Sequence, residues 1–588
     1  MCAACTYAAG RQSAFKVKVI WRTVRFCIFM YIPRLVISGL SGGAGKTMLS
    51  LGLARAFSRR GLLVQACKKG PDYIDAAWLA LAARSAQSNL DPFFTPGPAL
   101  AALFARAAAA CDIALVEGNR GLFDGLDITG SCSTAQVART LEAPVLLIVD
   151  CTKMTRTAAA LVKGCCDFEP GLRIGGVVLN RSGNARHAAL ARQAVEDLAG
   201  VPVFGVLPRQ AEPLVRERHM GLVAMDDCGR HAEADALLNS LADFVALHCD
   251  CEALLALAAD APVLRAPESE EANKDSLPHG GARAQRAGSG LSCSESDAEP
   301  KNATKNALLS KAVGGAQVVL ASTTAAAPAA TDFSSTGPAL AAAAAPAATD
   351  FAATSAVAVK ADSAPLRLGY VQDAALWFYY RENLYALERA GASLVPLSLL
   401  QAQPWPELDG LYLGGGLPEL HAERISGNRA VLDTLAVLVQ KGLPLYAECG
   451  GFMVLCRSLA VKGREYPMAG LFPCRIELCE RPQGLGYVEA QALRDTPFFP
   501  AGFSFKGHEF HFSRCVPDKA CEFFETPALR LNRGKGLGRD TAGQWRDGLV
   551  QGNCFASYMH IYAPAVPHWA VTFVDLCRSF RASRGLHV

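Results

Sequence analysis

From Arg34 to about Asp250, short runs of β-branched and apolar residues alternate with longer stretches of helical period. Leu35–Ser38, Ile113–Glu117, Val145–Asp150 and Gly175–Asn180 read as strands without polar alternation, the pattern of strands buried on both faces. Met48–Arg60, Ser133–Leu141 and Ala185–Leu198 read as the helices between them. Such alternation builds βαβ units and a parallel sheet covered by helices on both sides. The same grammar resumes at Arg367. Strands are expected at Leu368–Val371, Gly410–Leu413 and Leu443–Ala447, with helices at Asn383–Ala390, Ala430–Gln440 and Phe452–Leu459. The C-terminal stretch reads as strand-like.

Between these regions the pattern breaks. Residues 251–365 carry Glu-Ser-Glu-Glu, Gly-Gly and Ala/Pro/Thr/Ser repeats, and their aromatic residues are Phe333 and Phe351. Such composition cannot bury enough apolar surface to offset its ordering entropy, so a disordered linker is expected. The repeated prolines argue against a long alanine helix. At the other end, residues 1–29 are expected to be an extension of no fixed fold. Lys16, Lys18, Arg22 and Arg25 interrupt its apolar stretch, which is too short and too charged to span a membrane. Met30 is the expected real start of the protein. The fold class expected is therefore α/β with two domains, 30–250 and 366–588, joined by the 251–365 linker.

Composition narrows the partners. A net charge of +4 over 588 residues, with no face-length basic stripe, gives no reason to expect nucleic acid. No membrane partner is expected either. The 21 cysteines are scattered, mostly within apolar runs, and no paired CxxC motifs suggest zinc. Dispersed thiols in a large chain favour a reducing cytoplasm.

Three constellations carry chemistry. The first is Gly39-Leu-Ser-Gly42-Gly43-Ala44-Gly45-Lys46-Thr47, lying between a strand and a helix. Glycines let backbone N–H groups converge on phosphate oxygens, Lys46 neutralises charge there, and Thr47 can hold Mg²⁺. The spacing is one residue longer than the usual nucleotide-binding loop. That variant resembles the dethiobiotin synthetase-like superfamily, which includes ParA-type partition ATPases. The extra lysine of the partition ATPases is replaced here by Ser41. ATP is the nucleotide expected.

The second constellation is acidic. Lys68-Lys69-Gly-Pro-Asp72-Tyr-Ile-Asp75 and Val116-Glu117-Gly-Asn-Arg-Gly-Leu-Phe-Asp124 follow strand ends. Carboxylates there lie near a ligand crevice and are suited to Mg²⁺, so Asp72, Asp75 and Glu117 join Thr47 as candidate metal ligands. The plainer alternative makes Asp72 and Asp75 turn residues around Pro71. Ser133-Thr134 fits a helix cap as well as a phosphate contact. Asn180 ends another strand, and the superfamily resemblance puts that position near the adenine.

The third is Pro444-Leu-Tyr-Ala-Glu448-Cys449-Gly450-Gly451, a strand that turns sharply into a helix. Such an elbow exposes a thiol, and the helix start is expected to lower its pKa and supply oxyanion donors. Leu413-Gly414-Gly415-Gly416 is a candidate for the rest of the oxyanion hole. A thiolate nucleophile needs a base. His508, His511 and His560 are candidates that spacing does not separate.

Together these residues resemble the cobyrinate a,c-diamide synthase family over about 32–250 and 366–580. The marks are Lys69–Asp75, Arg218-His-Met-Gly-Leu, Phe378-Tyr-Tyr-Arg-Glu-Asn383, Leu413–Glu419, Ala447–Gly451, Gly507–His511 and Ala556–His560. The resemblance implies an ATP-binding amidoligase domain followed by a class I-type glutamine amidotransferase domain. It implies Cys449 as nucleophile and His560 as its base, with glutamine and a cobyrinate-like tetrapyrrole as substrates. Acetate side chains would be activated as acyl phosphates and amidated by ammonia from glutamine. A homodimer is an assembly the resemblance leaves open. Class I amidotransferases carry a glutamate two residues after the histidine; Tyr562 stands there, leaving open what orients His560. The alternatives are a ParA-like switch ATPase fused to a regulatory amidotransferase-like domain, or the same chemistry on hydrogenobyrinate or nickel sirohydrochlorin.

Overall fold

A computed structural model describes residues 27–210, 228–267, 365–518 and 526–585. The Arg218–Leu222 motif, residues 1–26 and the linker from 268 to 364 lie outside them.

The N-terminal half is built on a seven-stranded parallel sheet. Its spatial order is Asn89–Leu90, Val64–Lys69, Ile113–Glu117, Arg34–Gly39, Val145–Asp150, Ile174–Ser182 and Val203–Pro208. Neighbouring residues of one strand feed opposite cores: Val36 packs with Cys67, Val116 and Leu147, while Leu35 and Ile37 pack with Ala66, Leu115 and Ile148. Both faces are therefore apolar, which is why the sequence shows runs rather than alternation. Strand order reverses beside Arg34–Gly39, so the loops after this strand and after Ile113–Glu117 open on one crevice.

The boundaries expected from sequence need two corrections. Residues 251–267 belong to this half rather than to a linker. The helix Cys251–Ala259, capped by Asp250, buries Leu254, Leu257 and Ala258 against the Leu35 side of the sheet. Beyond it, Leu264–Pro267 pairs antiparallel with Cys27–Met30, so the expected extension is ordered at its last residues. Backbone pairing holds this ribbon, and Leu264 anchors it in the core.

The C-terminal half centres on a sheet ordered Ala392–Leu397, Leu366–Val371, Gly410–Leu413, Leu445–Glu448, Cys554–Ser557 and Leu549–Gln551. All neighbours in it are parallel except the last pair. Beside a two-stranded pairing of Leu376–Phe378 with Gly415–Gly416, two larger sheets were not legible in the sequence. One contains Cys456–Val461, so the helix expected at Phe452–Leu459 is instead Gly450–Leu455 followed by a strand. The other pairs Gly484–Ala492, Ser504–His511 and His560–Ile561 and sets His508 opposite His560. The strand-like reading of the C-terminus is also overturned: Trp569–Gly585 is a helix. Trp569, Phe573, Val574 and Cys577 recur at helical spacing and pack against Tyr412, Tyr446 and Phe555.

Both halves form one compact unit. Tyr73, Phe93 and Phe94 of the first half share an aromatic cluster with Phe378, Tyr380 and Tyr562 of the second. The Tyr487 hydroxyl donates to Asp91 at 2.9 Å, Lys506 Nζ to the Phe93 carbonyl at 3.2 Å, and Tyr562 to the Asn89 carbonyl at 3.3 Å. Burial pushes the Asp91 carboxyl up to about 6, with Lys69 opposing. Among the described residues no helix is long and apolar enough to cross a membrane.

Candidate active sites

The glycine-rich loop follows the strand Arg34–Gly39 and runs into the helix Lys46–Arg59. Gly45 has φ 102°, and a Cβ there would lie 2.4 Å from Asn180 Nδ2. Glycine is needed at that position both for the backbone and for this approach. Asn180 donates from Nδ2 to the Ala44 carbonyl at 2.9 Å and so holds the loop from a strand on the far side of Val145–Asp150. Lys46 Nζ donates to the Ser41 carbonyl at 2.8 Å.

A chain of buried charges leads away from the loop. Thr47 Oγ1 donates to Glu117 Oε1 at 2.7 Å, and Lys68 Nζ bridges that oxygen, at 2.7 Å, to Asp75 Oδ2 at 2.5 Å. Asp72 Oδ1 accepts from the Asp75 amide at 2.9 Å. Burial would pull the Lys68 ammonium down, but Glu117 and Asp75 outweigh it and hold the group protonated well above its ordinary value. Burial and then Asp75 push the Asp72 carboxyl up to about 6. Burial raises Glu117 as well, against the pull of Lys68 and Thr47.

Glu117 Oε2 is buried and has no hydrogen-bond partner. An orphaned carboxylate oxygen beside a threonine hydroxyl at a phosphate loop fits Mg²⁺. That ion is commonly held by one or two protein groups together with phosphate oxygens. Among the described residues no three His, Cys, Asp or Glu side chains converge to hold a metal by themselves. Ser133 is a helix cap, its Oγ accepting from the Gln136 amide at 3.1 Å.

In the other half Cys449 ends the strand Leu445–Glu448 with φ 44°, a left-handed conformation that is strained for a non-glycine residue, and begins the helix Gly450–Leu455. Its amide donates to the Ser557 carbonyl at 2.8 Å, fixing the elbow to the strand that leads on to His560. The expected lowering of the thiol pKa is not found. Burial pushes the thiol up, Glu419 adds to this, and the Gly450 amide opposes it only in part. A helix of six residues has too little dipole to offset desolvation of a thiolate.

The orientation of His560 has an answer that sequence did not supply. Glu448, the residue before the cysteine, places Oε2 3.3 Å from His560 Nδ1 and accepts with Oε1 from the Ile561 amide at 3.1 Å. Tyr412 donates to Glu448 at 3.1 Å, Asn383 donates to Tyr412 at 3.2 Å, and Asn383 also receives the Ala563 amide at 2.7 Å. Gly415 leaves room for the imidazole, since a Cβ there would sit 2.3 Å from His560 Cε1.

The three candidate histidines separate by environment. His508 stacks on His560 with ring centroids 4.8 Å apart, and burial holds it well below its ordinary value. His511 is engaged elsewhere: Nδ1 lies 2.8 Å from the Ser513 carbonyl, and its ring stacks on Tyr558 at 3.8 Å. His560 alone of the three meets Glu448. The expected Gly414–Gly416 segment does lie against the elbow, and the Gly451 amide donates to the Gly414 carbonyl at 3.0 Å.

Residues 367–566 match the CobB/CobQ-like glutamine amidotransferase domain, and residues 35–220 match the CobQ/CobB/MinD/ParA nucleotide binding domain. Over 540 residues the chain is 35% identical to the cobyrinate a,c-diamide synthase of Magnetococcus marinus, covering 92% of this chain and 96% of that one. The chain belongs to the cobyrinate a,c-diamide synthase family. A second member, from Syntrophotalea carbinolica, is 34% identical over 93% of this chain and 99% of its own length. The hydrogenobyrinate a,c-diamide synthase of Streptomyces coelicolor is 34% identical over 93% and 98%.

Within the family's two domains, the structure brings Thr47, Lys68, Asp75 and Glu117 into one network and adds Asp72 through the backbone. It brings His560 to Glu448, and sets Asn180 against the phosphate loop. Glu448, Tyr412 and Asn383 escaped sequence reasoning as functional residues. The one available signal was a carboxylate ending a buried strand, which is costly without a partner.

Proposed function

We propose that this chain uses ATP and glutamine to convert the a and c acetates of cobyrinate to amides, a step of cobalamin biosynthesis. The observation that carries the reading is the His560 pair with Glu448, the residue before the elbow Cys449, packed in one unit with a phosphate loop whose Thr47 bonds Glu117. Gly42, Gly43, Ala44 and Gly45 would present backbone amides to the ATP phosphates, with Lys46 leaving the Ser41 carbonyl for the γ-phosphate. Thr47 and Glu117 would hold Mg²⁺, with Asp72 and Asp75 completing its surroundings; the ion would neutralise phosphate charge during transfer. The substrate acetate attacks the γ-phosphorus, and ADP leaves from an acyl phosphate.

In the other domain His560, held through Nδ1 by Glu448, takes the Cys449 proton at Nε2. The thiolate adds to the glutamine side-chain amide, and His560 returns the proton to the departing ammonia. Water then cleaves the thioester to glutamate. Ammonia displaces phosphate from the acyl phosphate, leaving the carboxamide. Cys449 and His560 are thus the catalytic pair of this reading, and a cytoplasmic setting suits its free thiols.

The test is amidation of cobyrinate, hydrogenobyrinate and nickel sirohydrochlorin with MgATP and glutamine, read by product mass. Diamide from cobyrinate is expected. Amide from nickel sirohydrochlorin alone would overturn the acceptor. Hydrogenobyrinate is the second reading, favoured by the Streptomyces coelicolor relative.

A further inference from the structure

Tyr73 lies in the turn that carries Asp72 and Asp75, yet its ring is buried in the other active site. It stacks on Phe378 at 5.1 Å and 3°, packs against Tyr380 at 4.7 Å, and meets the rings of His508 at 5.5 Å and His560 at 5.4 Å. The turn that bears it is tied down at both ends. Asp72 accepts the Asp75 amide, and Asn89 Nδ2 donates to the carbonyls of Gly70 and Asp72, each at 2.9 Å. Lys68 holds Asp75 and Glu117 with one ammonium, so ligands entering the phosphate site must rearrange that bridge. Asp75 cannot shift without carrying the start of the helix Ile74–Ala83, and Tyr73 immediately precedes it.

The receiving side is equally specific. His560 Nε2 and His508 Nε2 are buried without hydrogen-bond partners, and the Tyr73 ring packs against both imidazoles. An imidazole that must accept the thiol proton has to be free to align with Sγ. A ring wedged against it restricts that alignment.

Resting on the reading of this chain as a glutamine-dependent ligase, we propose that Tyr73 is a positioning residue that couples the two sites. Its ring restricts the alignment of His560 with the thiol, and rearrangement of the 72–75 turn on MgATP and acceptor binding releases it. Glutamine is then hydrolysed only when an acyl phosphate can use the ammonia. No bond forms or breaks at Tyr73 itself.

Full-length protein carrying Tyr73→Ala, Tyr73→Phe or Phe378→Ala tests this. The first readout is alkylation of Cys449 by iodoacetamide, followed by peptide mass. In the unsubstituted protein it should accelerate about tenfold when MgATP and cobyrinate are added, within the usual range of coupling between sites. Tyr73→Ala should be fast throughout and show no acceleration, and Tyr73→Phe, which keeps the ring, should behave as the unsubstituted protein. The second readout is glutamate released per amide formed: near one normally, and well above one for Tyr73→Ala. Phe378→Ala, which removes the stacking partner from the other side, should uncouple in the same direction. It decides the matter if Tyr73→Ala does not fold.

Retention of ligand-dependent alkylation and a ratio near one in both alanine variants would overturn the proposal. Equal loss of ammonia-dependent and glutamine-dependent amidation would overturn it too, by assigning Tyr73 to the acceptor side. If the unsubstituted protein amidates no tetrapyrrole even with ammonia, the functional reading fails instead; alkylation with MgATP alone still decides the role of Tyr73.

Discussion

The two sites of this protein handle buried charge in opposite ways. At the phosphate loop, Lys68 meets both Glu117 and Asp75, and Thr47 bonds Glu117, so the buried or half-buried groups there are paired. At the elbow the thiol is pushed up by burial, and the histidine nitrogens facing inward have no partner. The contrast follows from desolvation. A charge can stay buried when an opposite charge meets it, whereas an unpaired thiolate cannot. One site therefore keeps its buried groups paired through Lys68. The other needs an aligned imidazole to take the thiol proton before a thiolate can form.

Substitutions on either side can break this comparison. Cys449→Ser should have the largest effect, a loss of about 10⁴-fold or more in glutamine-dependent amidation. Amidation from free ammonia should persist, since that route bypasses the thiol. Loss of both would mean the sites are not separable. Lys46→Ala should lower both reactions by about 10³-fold, because it acts on the phosphate that both need. An effect confined to glutamine would contradict the assignment.

Glu448→Gln keeps the shape of the side chain but removes the negative charge facing His560 Nδ1. Glutamine-dependent turnover should fall by about 10²-fold or more through kcat, with the ammonia route spared. A full-rate variant would mean that Asn383 and Gly415 suffice to orient the ring.

The smallest effect concerns the seam between the halves. Asp91, at about 6 in the folded protein, lies above the ordinary carboxylate value, so the folded state binds its proton more tightly than the unfolded chain. Its contribution to stability is complete below about pH 4 and is lost as pH rises through about 6. Relative to Asp91→Asn, the unsubstituted protein should lose about 1–3 kcal/mol over that range. Urea denaturation of both proteins at a series of pH values would measure it, and parallel curves would count against the burial argument.

Much of this architecture was legible in the linear pattern. The runs at Leu35–Ser38 and Val145–Asp150 announced strands buried on both faces, and Gly39–Thr47 announced a phosphate loop by its glycines, its Gly-Lys-Thr and its place between a strand and a helix. The further sheets of the second half were not legible. Their strands, such as Gly484–Ala492, mix glycine, charge and apolar residues, and this one pairs both with the next strand, Ser504–His511, and with Leu529–Arg533. The terminal helix was missed because Ala570–Val574 is rich in β-branched and aromatic residues, and its partners Tyr412 and Tyr446 lie far upstream. Helix propensity is a weak prior when packing of this kind decides the outcome.

By itself the sequence determined which groups could do chemistry: a lysine and a threonine on a glycine-rich turn, and a cysteine on an elbow. These are local signals, set by backbone geometry within a few residues. Tertiary structure alone decided which histidine faces Glu448, that burial rather than the short helix governs the Cys449 thiol, and that Tyr73 of one domain sits among the aromatics of the other. Those outcomes depend on desolvation and on contacts between residues more than a hundred positions apart, and neither is written in the spacing along the chain.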